Sequence, residues 1–186
     1  MNAPIKMVNI LKRFIDALIY IFLNYFIAYI PSWMIRKFFY KLFGMKIGRK
    51  TRIYMKCIVR APWKIEIDEN TVINENCYLD GRGGLKIGKN TSISFFTIII
   101  SASHNSTSQK FDYIKSPVII KDNVWTGARS IILQGTTLED ECILAAGSTL
   151  KGATEKGYIY AGIPAKKMKS RNLQGKYIFS PYDFFR

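Results

Sequence analysis

The sequence has little of the residues that metal sites and disulfide frameworks need. Its 186 residues include one histidine, His104, and three cysteines. A zinc site built from two or three imidazoles is therefore excluded, and we expect no metal cofactor. The cysteines Cys57, Cys77 and Cys142 are odd in number and widely spaced, which predicts neither a metal-binding pair nor a disulfide framework. We interpret them as small inward or corner residues of a protein in a reducing cytoplasm.

Acidic residues are also scarce, with 13 Asp and Glu against 28 Lys and Arg and a net charge of +15. Residues 1–50 hold nine bases and one acid, residues 51–150 hold eleven and ten, and residues 151–186 hold eight and two. The ends are therefore basic and the middle is balanced. Hydrophobic residues make up 48% of the chain, which is enough to build a core. The length suits one domain with an appendage.

The amino-terminal region has no uncharged run long enough for an ordinary membrane span, because residues 17–30 fall short of the required length of about 20 apolar residues. Polar residues recur there at steps of three and four, which places them on one stripe of an amphipathic helix. They are Asn9, Lys12, Arg13, Asp16, Tyr20 and Asn24.

A second short helix is predicted over residues 33–43, with Ser32 as its cap and Gly44 at its end. Its basic residues Arg36, Lys37 and Lys41 form one face, opposite Trp and Phe side chains. Basic amphipathic helices of this composition lie on anionic membranes, pack on protein, or in rarer cases span a bilayer. The polar stripe fits a span worst.

A six-residue period covers most of the remaining chain. From residue 120 the hexads read IKDNVW, TGARSI, ILQGTT, LEDECI and LAAGST, and five of six first positions through residue 150 are Ile or Leu. Every fifth position in this run is small. Earlier hexads begin at residues 47, 53, 67, 73, 79, 87 and 93, so the register returns every 20 residues. The period predicts a triangular coil of short parallel strands, with first-position aliphatic residues inside and small residues at the corners.

This pattern resembles the hexapeptide-repeat acyltransferases, and the resemblance runs from about residue 47 to residue 171. It implies a mainly β fold, the left-handed parallel β-helix, and the handedness comes from the resemblance alone. We therefore expect amphipathic helices over 1–44 with possible membrane association, a β-helix catalytic domain over 45–163, and a short helix with an aromatic tail over 164–186. The helix is expected because Pro164 is suited to a first helical turn.

The hexads break once, after Ile99, and resume at Val118. His104 stands at this break, beside a loop over 105–117 that is rich in Ser and Lys. Imidazole titrates near neutrality, so it suits a base that removes a proton from an attacking hydroxyl. A thioester donor is already activated, so no covalent acyl-enzyme is required. This chemistry favours His104 as a catalytic residue over an ordinary loop histidine.

Several segments are similar to the galactoside, maltose, nodulation and colanic-acid branch of O-acetyltransferases. They are SASHN, SPVIIKDNVWTGA, AAGSTLKG, YAGIPAKKMKSR and INENCYLD. The resemblance implies His104 as general base and Asn74 with Asn105 on the acceptor side, although many relatives have Asp where Asn105 stands. It also implies acetyl-CoA as co-substrate, in a groove lined by Trp125, Ala128, Ala146, Lys151, Lys166 and Lys169.

Ordinary structural roles remain open for some of these residues. Trp125 could cover a coil edge, Asn74 could stabilise its corner, and the lysine run after Pro164 could be a solvated face.

The resulting hypothesis is an acetyl-CoA-dependent O-acetyltransferase for a sugar of a surface polysaccharide or its lipid-linked precursor. The resemblance implies a homotrimer with the site between subunits. We expect a cytoplasmic protein at the inner face of the membrane, with no nucleic-acid partner. Two alternatives stay open, namely acetylation of a small soluble acceptor such as a free sugar or an antibiotic, and a non-catalytic trimeric scaffold.

Overall fold

The computed structural model describes residues 3–173, except for the side chains of residues 3–7 and 9. The predicted aromatic tail from residue 174 onward therefore lies outside the described residues. In the described part, two helices precede a coil of short parallel strands. The coil confirms the prediction made from the hexads.

The helical segment confirms the two predicted helices. Helix α1 covers Ala3–Ile21 and continues through a π-helical turn, Phe22–Phe26, and a 3-10 turn, Ile27–Tyr29. Helix α2 covers Trp33–Leu42. Ser32 occupies the cap position of α2 without a side-chain cap hydrogen bond, and Gly44 adopts the left-handed conformation expected after the helix, with φ of +89°. Within residues 3–173, no helix is both long and apolar enough to cross a membrane.

The coil has three faces, which we name A, B and C, and nearly all neighbouring strands on each face are parallel. Face A contains β1 (Lys46–Ile47), β4 (Ile65–Ile67), β7 (Leu85–Ile87), β12 (Val118–Ile120) and β15 (Thr137–Leu138). Face B contains β2 (Arg52–Ile53), β5 (Val72–Ile73), β8 (Ser92–Ile93), β13 (Trp125–Thr126), β16 (Ile143–Leu144), β18 (Tyr158–Gly162) and β19 (Ala165–Ser170). Face C contains β3 (Ile58–Arg60), β6 (Tyr78–Asp80), β9 (Ile98–Ile99), β14 (Ile131–Ile132) and β17 (Thr149–Leu150).

The core of the coil is built from the first and fifth hexad positions, as predicted. Ile53, Ile73 and Ile93 stack on face B without exposure, and Ile132 is equally buried on face C. The fifth-position residues, from Val124 to Ser148, are buried at the corners. Burial of large aliphatic side chains of this kind contributes about 1.5–3 kcal/mol each. The repeat therefore supplies one continuous hydrophobic core from otherwise very short strands.

Corners turn through residues in the left-handed region. At the corner between faces A and B, Asn70, Asn90 and Asn123 occupy equivalent positions with φ of 56°, 53° and 59°. Asparagine tolerates this conformation better than most residues with a Cβ, since its side chain hydrogen-bonds locally. The Nδ2 of Asn70 donates to Oδ1 of Asn90 at 2.6 Å, which links successive corners along the coil.

The predicted helix after Pro164 is wrong. Residues Ala165–Ser170 form β19, which pairs antiparallel with β18 at the edge of face B. The sequence there, AKKMKS, has moderate helix propensity, but a helix of this length has little stability of its own. Pairing with β18 satisfies backbone groups that the edge of the sheet would leave exposed. Arg171 then fixes the end of β19 by donating to the carbonyl oxygens of Asn123 and Glu141.

The predicted basic face of α2 is also wrong in one respect, because Arg36 is fully buried. Its guanidinium donates to the carbonyl oxygens of Ile30, Pro31 and Ile53, the last at 3.0 Å. A buried arginine is favourable only where several acceptors surround it, and the turn before α2 together with β2 provides them. Arg36 therefore connects α2 to face B and does not join Lys37 and Lys41 on an outer face.

We expect all three cysteines to resist thiol reagents in the native protein. Cys57, Cys77 and Cys142 have no exposed surface, and burial raises the pKa of the Cys57 thiol well above its ordinary value. All three sulfur atoms are therefore inaccessible, and at Cys57 the reactive thiolate is also disfavoured. Titration with Ellman's reagent should detect the thiols only after unfolding in guanidinium chloride. Stoichiometric labelling of the native protein would contradict this burial.

Candidate active site

His104 is carried by a hairpin that extends from the coil where the hexads break. The hairpin consists of β10 (Ala102–His104) and β11 (Tyr113–Lys115), paired antiparallel, and it projects from the corner between faces C and A, which we call corner CA. The His104 side chain is exposed. The position of the break therefore predicted correctly where the coil extrudes a loop.

The ring of His104 is held by Phe111. The two rings are stacked, with centroids 4.1 Å apart and planes 10° apart, and Nδ1 lies 2.8 Å from the carbonyl oxygen of Phe111. A carbonyl oxygen can only accept, so Nδ1 carries the hydrogen and the neutral ring has its lone pair on Nε2. The exposed edge of the ring is thereby able to act as a base.

Asn105 does not orient the histidine. Its Oδ1 accepts hydrogen bonds from the backbone N–H of Thr107 at 3.1 Å and from the Thr107 hydroxyl at 2.8 Å, which forms a local turn. The backbone carbonyl of Phe111 supplies the orienting acceptor that a carboxylate at this position would otherwise offer. An acceptor-binding role for Asn105 stays a prediction.

The base of the hairpin is fixed by Asp80, a residue that the sequence reasoning did not identify. Asp80 is completely buried and its Oδ2 accepts the backbone N–H of Ser101 at 3.1 Å. Arg82 binds both carboxylate oxygens, each at 2.9 Å. Burial alone would raise the pKa of Asp80, but the hydrogen bonds from Arg82 and Ser101 outweigh it and hold the pKa below its ordinary value. The only signal in the sequence was the irregular hexad LDGRGG.

Asn74 and Trp125 lie at a different corner, between faces B and C, which we call corner BC. Asn74 follows β5, and its Nδ2 donates to the carbonyl oxygen of Ile93 at 2.8 Å. Trp125 lies at the edge of this corner on β13, is 46% exposed, and donates from Nε1 to the Ser94 hydroxyl at 3.1 Å. Ser94 follows β8, between the coils of Asn74 and Trp125, so the structure brings these two predicted residues to one region of the surface.

The other predicted cofactor residues lie in three places: corner BC, the edge of face B and corner CA. Ala128 and Ala146 lie at corner BC, where the backbone N–H of Gly147 donates to the carbonyl oxygen of Ala128 at 2.9 Å. Lys166 and Lys169 are exposed on β19, at the edge of face B, and not on a helix. Lys151 is exposed at corner CA, on the coil edge that also carries His104.

A single chain therefore does not bring His104 next to Asn74. The strands of face C separate corner BC from corner CA, and each group faces outward from its own edge of the triangular coil. Among the described residues, no group of three or more His, Cys, Asp or Glu side chains is arranged to hold a metal ion.

Comparison with known proteins agrees with this architecture. Residues 117–151 match the family described as the hexapeptide repeat of succinyl-transferase. The putative colanic acid biosynthesis acetyltransferase WcaF of Escherichia coli K12 is 26% identical over 136 residues, which cover 73% of this chain and 75% of WcaF. The putative lipopolysaccharide biosynthesis O-acetyl transferase WbbJ of the same organism is 26% identical over 125 residues, which cover 60% of this chain and 63% of WbbJ.

A solved structure gives the same result for the fold. The hexapeptide-repeat containing acetyltransferase of Vibrio cholerae, complexed with acetyl coenzyme A, superposes with a TM-score of 0.74 and 26% identity, covering 81% of this chain and 84% of that one. The repeat, the coil and these relatives all indicate one assignment. The chain has the repeat and the fold of the hexapeptide-repeat acetyltransferases, to which it is similar in both comparisons.

Proposed function

We propose that the protein is an acetyl-CoA-dependent O-acetyltransferase that modifies a sugar hydroxyl of a surface polysaccharide or its lipid-linked precursor. The observation that carries the proposal is the hydrogen bond from Nδ1 of the exposed His104 to the carbonyl oxygen of Phe111, which places the lone pair of the neutral ring on Nε2. The relatives named for colanic acid and lipopolysaccharide acetylation support a glycan acceptor.

In this reaction Nε2 of His104 removes the proton of the acceptor hydroxyl while that oxygen attacks the thioester carbonyl. The carbon–sulfur bond then breaks, and the departing thiolate receives the proton from the imidazolium. The products are an acetyl ester and free coenzyme A, so no group remains on the enzyme. We expect Asn74 to donate a hydrogen bond either to the acceptor or to the carbonyl oxygen of the thioester.

Corner BC fits the co-substrate. Gly127, Ala128, Ala146 and Gly147 place small residues on this edge beside the exposed Trp125 ring. Lys166 and Lys169 on β19 add exposed positive charge for phosphate groups on the adjoining face. The V. cholerae relative that binds acetyl coenzyme A shares the fold that forms this edge.

The separation of His104 and Asn74 favours a trimer in which corner CA of one subunit meets corner BC of the next. A closed threefold arrangement repeats this contact three times with one type of interface. Each active site then takes its base from one subunit and its co-substrate groove from the neighbour.

Release of coenzyme A in the presence of acetyl-CoA and candidate glycans tests the reaction, and mass spectrometry of the glycan locates the acetyl group. Transfer to polysaccharide supports the proposal. Transfer only to a free sugar or an antibiotic favours the small-acceptor alternative, and no thiol release with any acceptor favours the scaffold.

We further propose that the amino-terminal helices hold the enzyme on an anionic membrane. The carboxyl-terminal end of the polar stripe faces the protein body, because Asn24 is buried, donates to the carbonyl oxygen of Val59 and accepts the N–H of Val59. The apolar residues face outward instead, and Phe14, Leu18, Phe38 and Leu42 are 49–62% exposed. Nine bases against one acid in residues 1–50 give this region the charge that suits anionic lipid.

Changing Phe14, Leu18 and Phe38 together to serine should abolish flotation of the full chain with vesicles containing about one-third phosphatidylglycerol. Each lost apolar side chain removes roughly 1.5–3 kcal/mol of burial in the membrane interface. The variant should keep its melting temperature, since these side chains are exposed in the chain itself. Unchanged flotation, or a change in oligomeric state instead, would contradict the membrane contact.

A further inference from the structure

A groove of about 380 Å³ lies between helix α1 and the coil, next to the candidate active site. Its lining includes three arginines, Arg13, Arg60 and Arg82, and the aromatic side chains of Tyr20 and Trp63. Arg82 and Trp63 belong to corner CA, the same edge that carries His104. The groove therefore continues along the coil toward the proposed base.

We propose that this groove binds the diphosphate of a glycosyl-diphosphate acceptor. The inference rests on the proposed function and deepens it, because it states how the sugar presented to His104 is anchored. Arginine is suited to this ligand, since its planar guanidinium donates two parallel hydrogen bonds to phosphate oxygens. Arg13 on α1 and the two arginines on the coil offer guanidinium groups from both sides of the groove to two adjacent phosphates.

The charges of the groove favour an anion. Asp16 also lines it, so its lining carries three positive groups and one negative group, and even after the pairing of Arg82 with the buried Asp80 one positive charge is in excess. Arg13 and Arg60 have no carboxylate within ion-pair distance among the described residues. Arg60 is instead placed over the Tyr20 ring at 5.1 Å. This contact orients the guanidinium without neutralising it.

Arg82 links the groove to the base. Asp80 binds Arg82 through Nε and Nη2, so Nη1 is not used by this carboxylate. The guanidinium lies 5.8 Å from the ring centroid of Tyr113, and that ring lies 5.4 Å from the ring of His104. A phosphate bound at Arg82 would thus be separated from His104 by the ring of Tyr113. A sugar joined to that phosphate would have to span this distance to reach the histidine.

The position of α1 favours a lipid as the other substituent of the diphosphate. Ile21 lines the groove, and Phe14 and Leu18 lie exposed on the same helix. An isoprenoid chain leaving the groove would follow these apolar residues. A nucleoside diphosphate sugar shares the diphosphate but has no lipid chain to contact these apolar residues. The two sources can therefore be separated by experiment.

Calorimetric titration of the full-length protein with inorganic pyrophosphate, farnesyl diphosphate and uridine diphosphate tests this site. Coenzyme A is kept in excess so that its own phosphate contacts are filled. We expect Arg60→Gln and Arg13→Gln each to weaken pyrophosphate binding about tenfold or more, since each removes charge-assisted hydrogen bonds. Arg49→Gln is the matched control, because Arg49 is 92% exposed and lies on another part of the coil; it should change binding by less than about twofold.

Tighter binding of farnesyl diphosphate than of uridine diphosphate identifies the lipid source, and the reverse order identifies the nucleotide source. Equal effects of Arg60→Gln and Arg49→Gln, or no pyrophosphate binding at millimolar concentration, would overturn the site. Binding is measured without any transfer reaction. Loss of acetyl transfer with every acceptor would therefore refute the proposed function, while an Arg60-dependent pyrophosphate signal would still support the groove.

Discussion

Replacing His104 with alanine is expected to lower the rate of acetyl transfer by about 10²–10⁴-fold, the usual contribution of a positioned general base. The side chain is exposed and its contacts are limited to the hairpin, so the substitution should leave the coil intact. Because we propose that the co-substrate binds at corner BC, we expect the affinity for coenzyme A to remain close to that of the unchanged protein. The measurement is thiol release at saturating acetyl-CoA together with calorimetric binding of coenzyme A.

Lys110→Ala is a suitable control for this experiment, since Lys110 lies exposed in the same loop as His104. It should retain most of the activity. His104→Gln extends the test, because glutamine preserves hydrogen bonding but cannot take up the proton. Full activity in either His104 variant would remove the base from the mechanism.

Mixing inactive His104→Ala and Asn74→Ala proteins is expected to restore activity, provided that subunits are unfolded and reassembled together. The two residues lie at different corners of one coil, so an intersubunit site takes one of them from each neighbour. In randomly mixed trimers, about one quarter of the sites pair an intact His104 with an intact Asn74. Reassembled mixtures should therefore regain roughly one quarter of the original rate.

Each variant reassembled alone provides the control and should stay inactive. Sedimentation analysis of the same samples establishes the trimer on which the arithmetic depends. If the mixture stays as inactive as its components although trimers form, His104 and Asn74 do not act across an interface, and the shared site is refuted.

The repeat could be recognised from the sequence because every hexad is subject to the same packing constraints. Ile and Leu at the first position must enter the core, and a small residue must fit the corner, so the period survives even where the remaining residues vary. The break after Ile99 was visible for the same reason, and it located the hairpin that carries His104. The orientation of the ring was not visible, because it depends on a backbone carbonyl, at Phe111, that any residue could supply.

Asp80 and Arg36 show a second kind of information that the sequence did not carry. Both are charged residues that would ordinarily be assigned to the surface. Asp80 can be buried because the N–H of Ser101 and the guanidinium of Arg82 both donate to its carboxylate. Arg36 can be buried because three carbonyl oxygens accept from its guanidinium. These partners are distant in the chain or lie at irregular turns, so their contacts cannot be predicted from residue spacing.

By itself the sequence determined the stacked coil, its inward residues, the extruded loop and the two amino-terminal helices, since each follows from local periodicity and the burial of apolar side chains. Tertiary structure alone decided that residues 165–170 form a strand, that the carboxyl-terminal end of the polar stripe, at Asn24, turns toward the coil, and that His104 and Asn74 occupy separate corners. The reason is physical: an unpaired sheet edge, a set of unsatisfied carbonyl groups and the triangular section of the coil arise only after distant residues have packed together.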